Sequence, residues 1–314
     1  MKTGVIDVGG GMRGIYAAGV LDTCLQQNVE FDYCIGISAG SANMASYLAK
    51  QPGRNYKFYH DYSFRKQYMG IKSWLKTGSY INFEYIYGTL SNSDGENPLD
   101  LQTLLHSKSE LTVIASDAVT GRAKLFHKTD MLPDDYRILM ASACVPGVDQ
   151  PIQIGSSLYY DGALADPVPI QKAFDDGCER VVLILTKPVG EIRTSGKDLL
   201  LAKKIQRKFP LAAENMRLRA DRYNEGVRLA QEYVRVELQI WTVAMDFWAS
   251  LEHDIKYKKD VQDCDSIAAE LKACADTIAD TDRRMMELRD NISSLPQKSR
   301  KQLPKTNTDF MKRN

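Results

Sequence analysis

The stretch Cys34-Ile35-Gly36-Ile37-Ser38-Ala39-Gly40 constrains the fold more than any other part of this chain. It follows the polar break Glu30-Phe31-Asp32 and precedes Ser41-Ala42-Asn43-Met44-Ala45-Ser46-Tyr47-Leu48-Ala49, which reads as a helix of small residues. Gly-x-Ser-x-Gly at a strand-to-helix junction is the pattern of a nucleophile elbow. Gly36 and Gly40 allow a turn too sharp for side chains. Ser38 then stands clear at its tip, with a helix N-terminus behind it that favours negative charge. The same residue types also make an ordinary small-residue turn, so the reading depends on the rest of the chain.

Upstream, Thr3-Gly4-Val5-Ile6-Asp7-Val8 is a short apolar run suited to a buried parallel strand. It ends in Gly9-Gly10-Gly11-Met12-Arg13-Gly14, and Ile15 to Gln27 then places Ile15, Ala18, Leu21, Cys24 and Leu25 on one helical face. The glycine loop has two readings. Gly9, Gly11 and Gly14 fit the dinucleotide fingerprint, with Glu30 or Asp32 about twenty residues on as the ribose-binding acid. That leaves Ser38 unexplained. Alternatively, consecutive glycines let several backbone N–H groups point into one small space and hold an oxyanion. This second reading gives both motifs a place in one acyl-transfer site.

Farther along, Leu111–Ser116 and Gly121–Phe126 pattern as a hairpin across Thr120-Gly121, and Asp134 to Ala143 as a helix. Pro151–Ile154 and Ser157–Tyr160 are strand-like and lead to Asp161-Gly162-Ala163. Ile170 to Asp176 reads as a helix and Val181–Thr186 as the last buried strand. This alternation predicts an α/β fold, a mostly parallel central sheet with helices on both faces. Between Gln51 and about Leu105 the chain is irregular and rich in Tyr and Phe, as expected of a cap over the sheet or the wall of an apolar acyl pocket. Within it, Met69-Gly70-Ile71-Lys72-Ser73-Trp74-Leu75-Lys76 has the composition of a segment that rests on a lipid surface.

A net charge of +1 over 314 residues gives no reason to expect a nucleic-acid partner. The six cysteines (Cys24, Cys34, Cys144, Cys178, Cys264 and Cys274) form no CxxC pair and read as reduced thiols, with no zinc site. With neither a signal-peptide pattern at Met1-Lys2-Thr3-Gly4 nor a membrane-length apolar run, a cytoplasmic protein is expected, peripheral to the inner membrane surface where it meets lipid.

A serine nucleophile needs a base. None of the four histidines (His60, His106, His127 and His253) has the late-chain loop setting of a Ser…Asp…His order. Asp161 sits where a strand stops, next to a glycine that permits close approach, and a buried carboxylate can serve as base. An Asp-Gly turn of no catalytic consequence is the plainer alternative.

Three motifs in this order resemble the patatin-like phospholipase family. Gly9-Gly10-Gly11-Met12-Arg13-Gly14 matches its oxyanion loop, Gly36-Ile37-Ser38-Ala39-Gly40 its elbow and Asp161-Gly162-Ala163 its dyad motif. Ala141-Ser142-Ala143-Cys144-Val145-Pro146-Gly147 is similar to the family's stretch before the dyad aspartate. The resemblance spans roughly residues 3 to 225. It implies Ser38 as nucleophile and Asp161 as base, with Gly9, Gly10, Gly11 and Met12 as the oxyanion hole. Arg13, Gly36, Gly40 and Gly162 take supporting places, Arg13 bracing the loop. It further implies hydrolysis of phospholipid or other acyl esters without metal or cofactor.

After Tyr223-Asn224-Glu225 the chain changes character. Val234 to His253, within residues 232 to 294, resembles the end of the small RelA/SpoT-type alarmone synthetases. Glu237 matches that family's catalytic glutamate, whereas Trp241 stands where its Glu-x-Gln-Ile-Arg-Thr motif has arginine. The synthetase's phosphate- and metal-binding parts have no counterpart upstream, so the tail reads as sequence kept without its function. Asp246–Lys259 and the spaced set Ile267, Leu271, Cys274, Ile278, Met285, Leu288 and Ile292 predict a C-terminal helical hairpin suited to self-association. The expected organisation is a hydrolase domain over 1–228, a helical tail over 229–296 and a basic disordered end over 297–314. Two other classes stay open on sequence alone: a nucleotide-binding or alarmone-related regulatory protein, and a non-catalytic fusion product.

Overall fold

Among the described residues, the short apolar runs become the strands of one seven-stranded sheet. The computed structural model describes residues 1–188 and 191–233. In chain order the first part holds β1 (Thr3–Asp7), α1 (Ile15–Gln26), β2 (Tyr33–Ile37), α2 (Ala39–Leu48), α3 (Arg54–His60), α4 (Ile71–Thr77) and α5 (Leu101–His106). Next come β3 (Glu110–Asp117), β4 (Ala123–His127), α6 (Arg137–Ala143), β5 (Ile152–Ile154) and β6 (Ser157–Asp161). The chain continues through α7 (Ile170–Asp175), β7 (Arg180–Ile184), α8 (Gly196–Ile205) and α9 (Pro210–Tyr233). The strand order is β5-β6-β3-β2-β1-β7, with β4 paired to β3 off that path. β7, β1, β2 and β3 are mutually parallel, whereas β4, β6 and β5 pair antiparallel. The fold is therefore α/β with a parallel centre, and the hairpin across Thr120-Gly121 sets Ser116 opposite Ala123.

Successive side chains on a strand point to opposite faces, and here both faces are covered. Val5, Cys34, Leu111, Val113 and Ala115 join one core with Met44 and Leu48 of α2 and Leu139 of α6. The cap aromatics Phe58, Tyr62, Phe83 and Tyr87 belong to this same core, so the cap is continuous with the sheet's packing. Buried Arg54 pins it. Its guanidinium donates to Ser46 Oγ at 3.0 Å, Ser91 Oγ at 2.9 Å and the Asn97 carbonyl at 3.1 Å. On the opposite face Ile6, Tyr33, Ile35, Ile37 and Ile114 pack with Ile170, Ala173, Tyr223 and Ala230 of α7 and α9.

Two sequence expectations are corrected. The run Val181–Thr186 reads as a buried strand, but among the described residues β7 pairs with β1 alone, and Val182 is 41% exposed. The helix expected from Asp134 begins only at Arg137. Asp134 has φ 57°, a left-handed conformation no helix continues through, and Leu132 bridges to Asp135 instead. Helix α9 runs unbroken across residues 228 and 229, the expected boundary between the hydrolase domain and the tail. The expected C-terminal hairpin, its coiled-coil seam, Glu237, Trp241, His253, Cys264 and Cys274 lie outside the described residues. Among the described residues, Cys24, Cys34, Cys144 and Cys178 are free thiols, and no helix is long and apolar enough to cross a membrane.

Candidate active site

Ser38 joins β2 to α2 with φ 56° and ψ −131°, a conformation that costs a non-glycine residue about 1–3 kcal/mol and needs its surroundings to hold it. They do. The Ser38 N–H donates to Ser142 Oγ at 2.9 Å, and its carbonyl accepts from Ser41 N–H at 3.1 Å and Ser41 Oγ at 2.7 Å. The motif's glycines are fixed by contact. A Cβ on Gly36 would lie 2.5 Å from the Ser41 Cα, and one on Gly40 2.4 Å from the Asp7 carbonyl oxygen.

Register explains why a residue more than a hundred positions away arrives beside Ser38. Strand β2 pairs with β3 up to Ile37 opposite Ile114; β6 takes over on the same edge, with Asp161 opposite Ala115. The other edge of β3 is filled by β4, which pairs with those same two residues. The end of β2 and the end of β6 therefore face consecutive positions of one strand. A Cβ on Gly162 would lie 2.1 Å from the Ile114 carbonyl oxygen, so only glycine allows this approach.

Asp161 is 2% exposed. Its N–H donates to the Cys144 carbonyl at 2.7 Å, its carbonyl accepts from Ser116 Oγ at 2.9 Å, and its Oδ1 accepts from Ala163 N–H at 2.8 Å. Burial raises the pKa of this carboxyl above the usual aspartate value. The Ser38 hydroxyl, hydrogen-bonded to it, opposes that rise, followed by Ala163 N–H and the charges of Arg219 and Arg193. The net effect is a more basic carboxylate in contact with the elbow serine.

The glycine loop closes over the same point. Gly9 has φ 69°, and a Cβ there would lie 2.9 Å from the Ser38 Cβ. From Gly11 to Gly14 the chain makes one 3-10 turn, whose first N–H groups have no acceptor within it. The N–H groups of Gly10, Gly11 and Met12 have no acceptor among the described residues. Gly9 differs from the expectation. Its N–H donates to Asp7 Oδ1 at 2.9 Å, so Gly9 shapes the loop without being a free donor. The buried Nε of Arg13 has no hydrogen-bond partner among the described residues. Nearby, Arg219 forms a two-pronged pair with buried Asp198, and the Arg193 guanidinium lies 5.5 Å from the Tyr223 ring.

Beneath the loop lies a network that motif reading missed. Asp7 Oδ2 accepts from Asn43 Nδ2 at 2.9 Å, and the same amide donates to the Gly14 carbonyl at 2.9 Å. Tyr59 Oη donates to Asn43 Oδ1 at 3.0 Å. Asp7 and Asn43 thereby hold both ends of the glycine loop, and burial pushes the Asp7 carboxyl up to about 6. The signal was present in an acid ending the apolar run Val5-Ile6-Asp7 and an amide inside an otherwise small-residue helix.

The structure disfavours the dinucleotide reading. Asp32 accepts from the Thr3 N–H at 2.7 Å and Glu30 pairs with Lys50 at 2.8 Å. Both acids precede β2, at the opposite end of the sheet from the glycine loop. His60 ends α3 with Nδ1 2.8 Å from Asp61, His106 ends α5 beside the Gln102 carbonyl, and His127 ends β4. A groove lined by Asp166, Val168, Arg222 and Leu229 includes neither Ser38 nor Asp161. Among the described residues no group of His, Cys, Asp and Glu is placed to hold a metal ion.

The sequence model of the patatin-like phospholipases matches residues 8–174, which take in the glycine loop, the elbow and Asp161. The chain belongs to the patatin-like phospholipase family. It is 25% identical over 195 residues to the uncharacterized protein YjjU of Escherichia coli (strain K12), covering 57% of this chain and 50% of that protein. Its C-terminal region is similar to two GTP pyrophosphokinases of Bacillus subtilis (strain 168). Identity is 43% over 61 residues with YwaC and 32% over 62 residues with YjbM; the match is 19% and 20% of this chain, and 29% of each relative. This patatin-like chain thus spans half the length of its Escherichia coli relative and under a third of each Bacillus one.

Proposed function

We propose that this patatin-like protein is a serine hydrolase of lipid acyl esters that works through Ser38 and Asp161. The observation that carries the reading is the convergence of β2 and β6 on consecutive residues of β3, with the Ser38 hydroxyl on the Asp161 carboxylate. In this scheme Asp161 takes the Ser38 proton as Oγ attacks the ester carbonyl. The oxyanion that forms accepts from the N–H groups of Gly10, Gly11 and Met12. Collapse of the tetrahedral species expels the alcohol, which takes the proton from Asp161. Water, giving its proton to Asp161, then attacks the acyl carbonyl, and the fatty acid leaves as Ser38 Oγ takes that proton back from Asp161. The acyl chain runs toward the cap, where Tyr and Phe side chains supply an apolar wall.

The nucleotide alternative rests on the C-terminal similarity alone, and that similarity covers 29% of each GTP pyrophosphokinase. One experiment separates the two. Hydrolysis of a graded series of p-nitrophenyl acyl esters is measured for wild type, Ser38→Ala and Asp161→Asn, with GTP plus ATP assayed in parallel. The hydrolase reading expects ester turnover lost in both variants and no nucleotide product. Folded wild-type protein that turns over nucleotide and no ester would overturn it.

A further inference from the structure

Helix α4 is built inside out. Ile71, Trp74 and Leu75 are 53%, 52% and 72% exposed, and its one buried residue is Ser73. Positions 71, 74 and 75 share one helical face by their spacing. Ordinary folding buries such a face, because apolar area removed from water is the main stabilising term. Ser73 faces inward instead, its Oγ donating to the Ser79 carbonyl at 2.9 Å. Lys72 and Lys76 stand one turn apart beside the apolar face, and residues 69–80 contain no Asp or Glu. Neither lysine has an ion-pair partner among the described residues. Trp and aliphatic side chains flanked by lysines match the boundary of an anionic bilayer. The rings and alkyl groups enter the acyl layer, while the ammonium groups meet phosphate oxygens.

The helix is also tied to the candidate site by a continuous run of hydrogen bonds. It is bounded by Gly70 at φ 137° and Gly78 at φ 76°, and Gly70 N–H closes the segment on the Tyr80 carbonyl at 2.9 Å. From there Tyr80 N–H donates to the Val148 carbonyl at 3.3 Å, and Gln150 N–H to Ser79 Oγ at 2.9 Å. Buried Asp149 accepts from Ile81 N–H at 3.0 Å through one oxygen and from Val145 N–H at 3.3 Å through the other. The Gln150 carbonyl accepts from Cys144 Sγ at 2.8 Å, and the Cys144 carbonyl accepts the N–H of Asp161 at 2.7 Å.

We propose that α4 docks this protein on an anionic lipid bilayer, Ile71, Trp74 and Leu75 entering the interface, and that the tether through residues 144–150 holds Ser38 and Asp161 beside it. The purpose of docking rests on the hydrolase reading; the docking itself does not. The test therefore starts without turnover. Full-length Ser38→Ala protein is sedimented with phosphatidylcholine vesicles, with and without phosphatidylglycerol. Binding is expected with the anionic vesicles, and Trp74→Ala with Leu75→Ala is expected to weaken it about tenfold or more. Lys72→Gln with Lys76→Gln is expected to remove the preference for anionic vesicles. With Ser38 restored, the Trp74/Leu75 variant should need more vesicle lipid for half-maximal hydrolysis while its turnover of soluble p-nitrophenyl butyrate stays within about twofold. Vesicle binding unchanged by the Trp74/Leu75 substitutions overturns the proposal. So does failure of the full chain to bind, with a concentration-dependent dimer that those substitutions abolish, since a second copy is then the occupant. Vesicle binding without ester hydrolysis in any form would instead sink the hydrolase reading and leave docking standing.

Discussion

The backbone N–H of Ser38 donates to the hydroxyl of Ser142 at 2.9 Å, and that hydroxyl donates in turn to the Ile114 carbonyl at 2.6 Å. One side chain from α6 thus ties the elbow to β3 at the position that pairs with Ile37. Replacing Ser142 by Ala leaves a buried carbonyl and the elbow N–H without partners, at about 1–3 kcal/mol. It also frees Ser38 to relax from φ 56°. Ser142→Ala is therefore expected to lower the denaturant midpoint and to reduce ester turnover about tenfold or more through kcat, with KM little changed. Unchanged kcat in a folded variant would show that the elbow needs no such clasp.

The contact between Gly9 and the elbow gives a sharper prediction. A methyl group at Gly9 would meet the Ile37 carbonyl oxygen at 2.4 Å and the Ser38 Cβ at 2.9 Å, and the residue has φ 69°. The same change at Gly11 meets nothing within 4 Å, although φ there is 62°. Both substitutions carry backbone strain, and only the first adds a collision. Gly9→Ala is expected to abolish measurable ester hydrolysis, and Gly11→Ala to retain part of it. Equal loss in the two variants would assign the effect to backbone conformation alone.

Asp161 sets the acid limb of activity. Its carboxyl is held above the ordinary aspartate value of 3.8 mainly by burial, with the Ser38 hydroxyl opposing the rise. As a general base it must be ionised, so kcat/KM should fall as the pH drops through this raised value. A pH profile on a soluble ester is expected to place the acid limb above pH 3.8. An acid limb at or below that value would argue against Asp161 as the base.

How much of this was legible before folding depends on how local each signal is. The elbow and the glycine loop are each set by a few adjacent residues, and the α/β layering by short apolar runs. The meeting of Ser38 with Asp161 rests on the two strand ends sharing an edge of β3, which no single segment encodes; family resemblance supplied the pairing. The Asp7–Asn43–Tyr59 network was hidden because its members come from three separate elements and form no motif. At β7 an apolar composition concealed a partly exposed strand that pairs, among the described residues, with β1 alone, because a run of Val and Leu reads alike whether one or two strands pair with it. Asp134 broke its predicted helix through one backbone angle that composition does not reveal.

Asp149 gives the last test, one of stability. It joins the α4 segment to residue 145 through two backbone N–H groups, and its burial pushes the carboxyl up from 3.8 to about 7, those N–H groups opposing the rise. Asp7 rises likewise to about 6. In each case the folded state holds the proton more tightly than the unfolded chain. Their stabilising contribution is complete below about pH 4 and is lost as pH rises through the folded values, toward about 6 and 7. Across that window the two carboxyls should lower stability by an amount on the order of a few kcal/mol. Asp149→Asn cannot ionise, so its denaturant midpoint should change less between pH 4 and pH 7.5 than that of wild type, even though the amide serves the Ile81 and Val145 N–H groups less well. Slopes that match in the two proteins would mean that Asp149 is already ionised in the folded state at low pH, and that its two N–H donors outweigh its burial.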